Sequence, residues 1–175
     1  FGKIIRFSIP LMLSGILQLL FNAADIIVVG RFVGSTALAA VGSTSSLINL
    51  LINLFIGFSV GANVLVARFH GAGRDDEVNE TVHTAITLSM VSGIFLLILG
   101  VTVTRTLLIW MGSPDDVLDQ SSLYLKIYFL AMPATLLYNF GSSILRAVGD
   151  TKRPLFYLVT AGIINVCFYL FFVIV

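Results

Sequence analysis

An aspartate stands where lipid should be. Residues 7 to 29 form an apolar run whose one charged residue is Asp25. A carboxylate at hydrocarbon depth costs at least about 2.5 kcal/mol on insertion scales. With successive residues 100° apart on a helix, Ser14, Gln18, Asn22 and Asp25 fall within about 80° of one another and form one polar stripe. That stripe must face protein or water. The helical rise places Asp25 roughly 10 Å beyond Gln18, in the outer half of the bilayer if the amino end is inside. A carboxylate in a partly dry cavity there exchanges a proton or, when ionised, holds a cation. The plainer alternative is that Asp25 reaches headgroup water or bonds a neighbouring helix.

Other apolar runs carry polar marks of their own: Asn49 and Asn53; Tyr124, Tyr128, Thr135 and Asn139; Asn165 and Tyr169. Taken singly, each is accounted for by an interhelical hydrogen bond worth about 0.6 kcal/mol in a membrane. Converging with Gln18 and Asn22, they would line a path for a polar solute. Aromatic faces such as Tyr124, Tyr128 or Phe140 suit small organic cations, at roughly 0.5–2 kcal/mol per cation–π contact. Gly57 and Gly61 have the spacing of close helix packing. Pro10 and Pro133 predict kinks, either static or used in bending.

These residues need elements to hold them. Of 175 residues, 58% are hydrophobic and 11% charged, and the mean hydropathy is +1.03. That exceeds the roughly 45–50% apolar content of soluble domains. Near-charge-free windows recur at about the 20 residues needed to span hydrocarbon. Helices are expected at residues 7–29, 38–65, 82–104, 121–147 and 155–175, an all-α polytopic bundle embedded in membrane lipid. Stretches such as Ile86 to Val103 are apolar on every face, which excludes an alternating β-barrel. Breaks fall at Gly30 to Gly34, at Gly71 and Gly73, at Ser113-Pro114-Asp115-Asp116, and at Gly149-Asp150-Thr151 before Pro154.

Cytoplasmic loops carry the excess of Lys and Arg. Lys3, Arg6, Arg68, Arg74, Arg146, Lys152 and Arg153 fall on one side of this arrangement, and Arg31, Arg105 and Lys126 on the other. The amino end, the second-to-third loop and the fourth-to-fifth loop are therefore expected in the cytoplasm. The chain opens at Phe1 and closes inside an apolar run, so both ends are expected to be cut. No cleavable signal peptide is expected before the first span.

Net charge is +1 with the basic residues scattered, which gives no grip on nucleic acid. The single cysteine, Cys167, excludes a thiolate metal cluster and is expected to be a small packing residue. His70 and His83 are a weak basis for a metal site, and none is assigned. No nucleophile, metalloprotease or nucleotide motif is present, so no catalytic residue or cofactor is expected. Uphill transport would then draw on an ion gradient.

The segments Ser8-Ile9-Pro10, AADIIVVGRFVGSTALAAVG (23–42), ARFHGAGRDDEVNETV (67–82) and YNFGSSILRAVGDTKRPL (138–155) resemble the opening helix, loops and fourth-helix end of the multidrug and toxin extrusion family. The resemblance covers essentially the whole chain. It implies a twelve-helix protein of two six-helix lobes in the bacterial inner membrane, of which this chain supplies the first five helices and lacks the second lobe. It implies export of cationic, amphipathic compounds in exchange for H+ or Na+ by alternating access. Asp25 would be the ion-coupling residue, with Gln18, Tyr124, Asn139 and Asn165 in an amino-lobe cavity. Tyr169 departs from the family pattern, in which many members carry Asp or Asn, and leaves the coupling ion open. A lipid-linked oligosaccharide flippase of the same superfamily, which would need a more cationic cavity, is the alternative. A non-transporting scaffold or a decayed gene product is a third.

Overall fold

The computed structural model describes residues 2–28, 35–169 and 171, apart from the side chains of Lys3, Arg6, Asp25, Val28, residues 35–38, Ala40, Val41, Ser43 and Tyr169. Among these residues there are six helices and no strand: α1 Gly2–Val28, α2 Ser35–Gly71, α3 Asp75–Trp110, α4 Asp115–Leu130, α5 Met132–Ala147 and α6 Lys152–Tyr169. Phe7–Ala24, Thr44–Gly71 and Asp75–Trp110 are each long and apolar enough to cross a bilayer. The chain is an all-α, multi-pass membrane protein.

The helix expected over 121–147 is two helices, broken at Ala131. Pro133 removes one backbone donor and its ring crowds the carbonyl four residues back, so the helix cannot run through unbroken. Helices α2 and α3 outrun their expected ends, 38–65 and 82–104. Hydropathy marks only the lipid-embedded part, whereas the 36 residues of α3 reach about 54 Å at the standard rise. Their extra turns carry charge suited to the helix dipole: Arg68 lies in the last turn of α2, and Asp75, Asp76 and Glu77 begin α3. Helices α2 and α3 both stop at a left-handed glycine, Gly73 (φ 69°) and Gly112 (φ 73°). In each case the next N–H reaches back five residues, Arg74 N to Phe69 O at 3.0 Å and Ser113 N to Leu108 O at 3.0 Å. Asp150 caps α6, its Oδ1 accepting from Lys152 N at 3.2 Å and Arg153 N at 3.1 Å.

The chain divides into two compact units. In Ala39–Val148, α3 packs along α5 and α4. The buried face of α3 is Ala85, Ser89, Gly93, Leu96, Gly100, Thr104 and Leu108, spaced three or four apart and mostly small. A Cβ at Gly93 would strike the Pro133 backbone, and one at Gly100 would fall on the Phe129 ring. Small residues thus let the broken α4–α5 rod approach α3 closely, the usual source of helix association in lipid. Leu96, Leu108, Leu118, Leu125, Phe129, Met132 and Leu136 form the apolar core together with Ile48 of α2.

The buried hydroxyls of α3 bond within their own helix, Ser89 Oγ to Ile86 O at 2.7 Å and Thr104 Oγ1 to Gly100 O. Among the described residues no buried side-chain nitrogen or oxygen lacks a partner. Hydrogen bonds join helix α2 to α5. Asn63 Nδ2 donates to Ser143 O at 2.6 Å, and Ser143 Oγ donates to Ser59 O at 2.9 Å. Among the described residues none approaches within 4 Å of a Cβ placed at Gly57 or Gly61, and both glycines are exposed.

The second unit, Phe1–Leu38 with Gly149–Val175, sets α1 against α6. Pro10 lies inside α1 without ending it, and Ser14 Oγ donates to Pro10 O at 2.8 Å. Cys167 is exposed and not the packing residue its apolar surroundings suggest.

Candidate ion-coupling site

Helices α1 and α6 approach closely where the Phe21 ring meets Gly162. A Cβ at Gly162 would fall on the ring of Phe21, so only glycine lets α6 come this close. Phe21 therefore marks the face of α1 that meets α6. By helical register, Ser14, Gln18 and Asp25 lie within about 60° of Phe21 and Asn22 about 100° away, all on the same flank. On α6, Asn165 stands about 60° and Tyr169 about 20° from Gly162 by the same measure. The polar stripe runs beside the α1–α6 seam.

Ser14 is buried, whereas Gln18, Asn22 and Asn165 are exposed. The side chains of Asp25 and Tyr169 lie outside the described residues, and each residue is placed here by its helix. By register, amide-bearing positions on both helices and one carboxylate-bearing position flank the Phe21–Gly162 contact. Carboxylate and amide oxygens are the ligands that hard cations prefer, and a carboxylate is also a proton acceptor. Neither Phe21 nor Gly162 is marked by the polar pattern. A lone glycine one turn before Asn165 is the one sequence signal for the seam.

The remaining expected site residues belong to the other unit. Tyr124, on α4, is 37% exposed, and Asn139, on α5, is half-buried. Tyr128 packs against the apolar core, and Phe140 is buried. On α2, Asn53 Nδ2 donates to the Asn49 backbone O one turn back, at 2.7 Å. Thr135 Oγ1 bonds Ala131 O at 3.1 Å, across the helix break.

The MatE family model matches residues 10–171. The chain belongs to the MatE family. Relatives of this MatE chain include the "Probable multidrug resistance protein YoeA" of Bacillus subtilis, 35% identical over 160 residues that cover 91% of the chain and 35% of that protein. The "FAD transporter" of Shewanella oneidensis is 27% identical over 163 residues, 93% of the chain and 36% of that protein. A solved MOP superfamily transporter from Pyrococcus furiosus, described by the reverse polarity of its binding pocket and a suggested different function, has 28% identity and a TM-score of 0.90. The match covers 97% of this chain and 37% of that one. The MatE chain thus spans little more than a third of the length of these transporters, and the resemblance read from its motifs is borne out.

Proposed function

We propose that the protein containing this chain is a secondary antiporter that exports cationic, amphipathic compounds in exchange for H+ or Na+ by alternating access. The observation that carries the reading is the polar stripe of α1, with Asp25 at its outer end, running beside the α1–α6 seam that also bears Asn165. Asp25 takes up the coupling ion from outside. Gln18, Asn22 and Asn165 supply polar groups beside it, and Tyr124, Asn139 and Tyr169 extend the substrate path. The amino end is cytoplasmic, and the remaining lobe completes the path.

A ligand shifts a two-state equilibrium only by binding the two states unequally. Helix α1 makes that possible if its surroundings differ between states, since each tenfold ratio of ion affinity shifts the balance by about 1.4 kcal/mol. Loading Asp25 neutralises the charge that attracts an organic cation, so ion and drug oppose each other. Relatives are named for multidrug resistance and, in one case, for FAD. An acidic stripe disfavours an anionic dinucleotide or a pyrophosphate-linked lipid, which supports a cationic cargo over both.

The test is ethidium efflux from proteoliposomes holding the full-length protein, under an imposed proton gradient and, separately, an imposed sodium gradient. Efflux that depends on one of them is expected. Efflux indifferent to both, or transport of FAD with no effect on ethidium, contradicts the proposal.

A further inference from the structure

Within the unit Ala39–Val148, a cavity of about 410 Å³ opens between α2 and α3, well away from the polar stripe of α1 in sequence. Such a volume lies in the range of small-molecule sites, roughly 300–1,000 Å³. Phe58, Leu65 and Phe69 of α2 and Leu88 of α3 form its walls, with Phe140 of α5 alongside. From Phe58 to Phe69 the groove runs about 16 Å along α2 at the helical rise. A second space of about 110 Å³ shares Phe58, Leu88 and Phe140 and continues to Phe55 and Ser92.

Only one end is charged. Glu77 and Glu80 line it, and Asp75 and Asp76 begin the same helix. Glu77 pairs with Arg74, whose guanidinium carbon lies 5.3 Å from the centroid of the Phe69 ring. This end thus already holds one cation between an aromatic face and a carboxylate. Among the described residues no ion pair or side-chain hydrogen bond engages Glu80, which is exposed. An apolar, aromatic slot with a spare carboxylate at one end is complementary to an organic cation with a greasy body. A phosphate headgroup meets the wrong charge there.

We propose that the α2–α3 groove is a docking site for a lipophilic monocation, with Glu80 facing the charge and Phe58, Leu65 and Phe69 holding the apolar body. The inference rests on the proposed cationic cargo for its biological meaning, though not for the binding itself. With the amino end inside, the groove opens at the cytosolic face and would load cargo before it reaches the transport path.

Equilibrium dialysis of tetraphenylphosphonium against the full-length protein in nanodiscs, with no ion gradient, tests it. E80Q is expected to weaken one class of site about three- to fivefold, the scale of an exposed ion contact. A62W, which fills the groove, should remove that class, and D25N should leave it intact. Triphenylphosphine oxide, a neutral probe of similar bulk, should bind it less well. The proposal is overturned if E80Q and A62W both leave binding unchanged, if the neutral probe binds equally, or if added phosphatidylglycerol displaces the cation. Because no gradient is applied, failure here is distinct from failure of ion-driven efflux.

Discussion

The two units solve the problem of polar residues in lipid in opposite ways. In Ala39–Val148, α3 turns serine, threonine and glycine inward, bonds the hydroxyls to its own carbonyls, and packs dry against α4 and α5. In the unit of α1 and α6, Gln18, Asn22 and Asn165 remain exposed beside a seam where the Phe21 ring meets Gly162. Only 6% of the Phe7–Ala24 span is buried, against 22% of Asp75–Trp110. The same residue classes therefore serve structure when their hydrogen bonds close within a helix and remain open to a ligand when they do not. Close approach of helices over small residues suits a part that stays rigid. A helix held at few points suits a part that responds to an ion.

The largest effect is expected at the dry face. Gly100→Leu drives a side chain into the Phe129 ring, and overpacking of this kind costs about 1–3 kcal/mol or more. Melting of the purified protein should drop sharply, and Phe129→Ala in the same chain should restore part of the loss. Additive losses would mean that the two residues do not meet. Gly162→Leu is expected to separate α1 from α6, cutting ion-driven efflux at least tenfold while lowering the melting temperature less than Gly100→Leu does. The reverse order, with the seam more important to stability than the α3 face, would break the contrast between the units. Phe21→Ala should partly rescue transport in that variant.

Smaller effects sharpen the same comparison. Asn63→Ala removes the bond to Ser143 O, and membrane hydrogen bonds of this type average about 0.6 kcal/mol with a maximum near 1.7. A modest fall in melting with efflux retained is the expected result. Gly61→Ala meets open space and should change stability by less than about 0.5 kcal/mol. A large loss would show that another helix approaches there.

Much of this was legible in the sequence. The stripe of α1 follows from counting 100° per residue, and the loops follow from Gly71 and Gly73, from Ser113-Pro114-Asp115-Asp116, and from Gly149-Asp150-Thr151. The family followed from four quoted segments. The α3 packing face was harder to see, because Ile86 to Val103 is apolar all round and the usual polar-to-apolar period vanishes. The signal there was small residues at Ala85, Ser89, Gly93 and Gly100, a pattern of size instead of polarity. Gly57 and Gly61 showed the converse limit. Spacing of glycines permits close approach without saying which helix approaches. Pro133 was visible, but a kinked rod and two separate helices read alike until backbone hydrogen bonds are seen. Nothing local in the sequence links Glu80 to Phe58, more than twenty residues away.

The central claim is that the stripe of α1 is kept polar for ion coupling and not for packing. Ethidium efflux by the full-length protein in proteoliposomes, wild type beside Asp25→Asn, tests it most directly. The account predicts that Asp25→Asn melts like the wild type yet loses efflux driven by whichever gradient, proton or sodium, drives the parent. Gradient-driven efflux at the wild-type rate would contradict it.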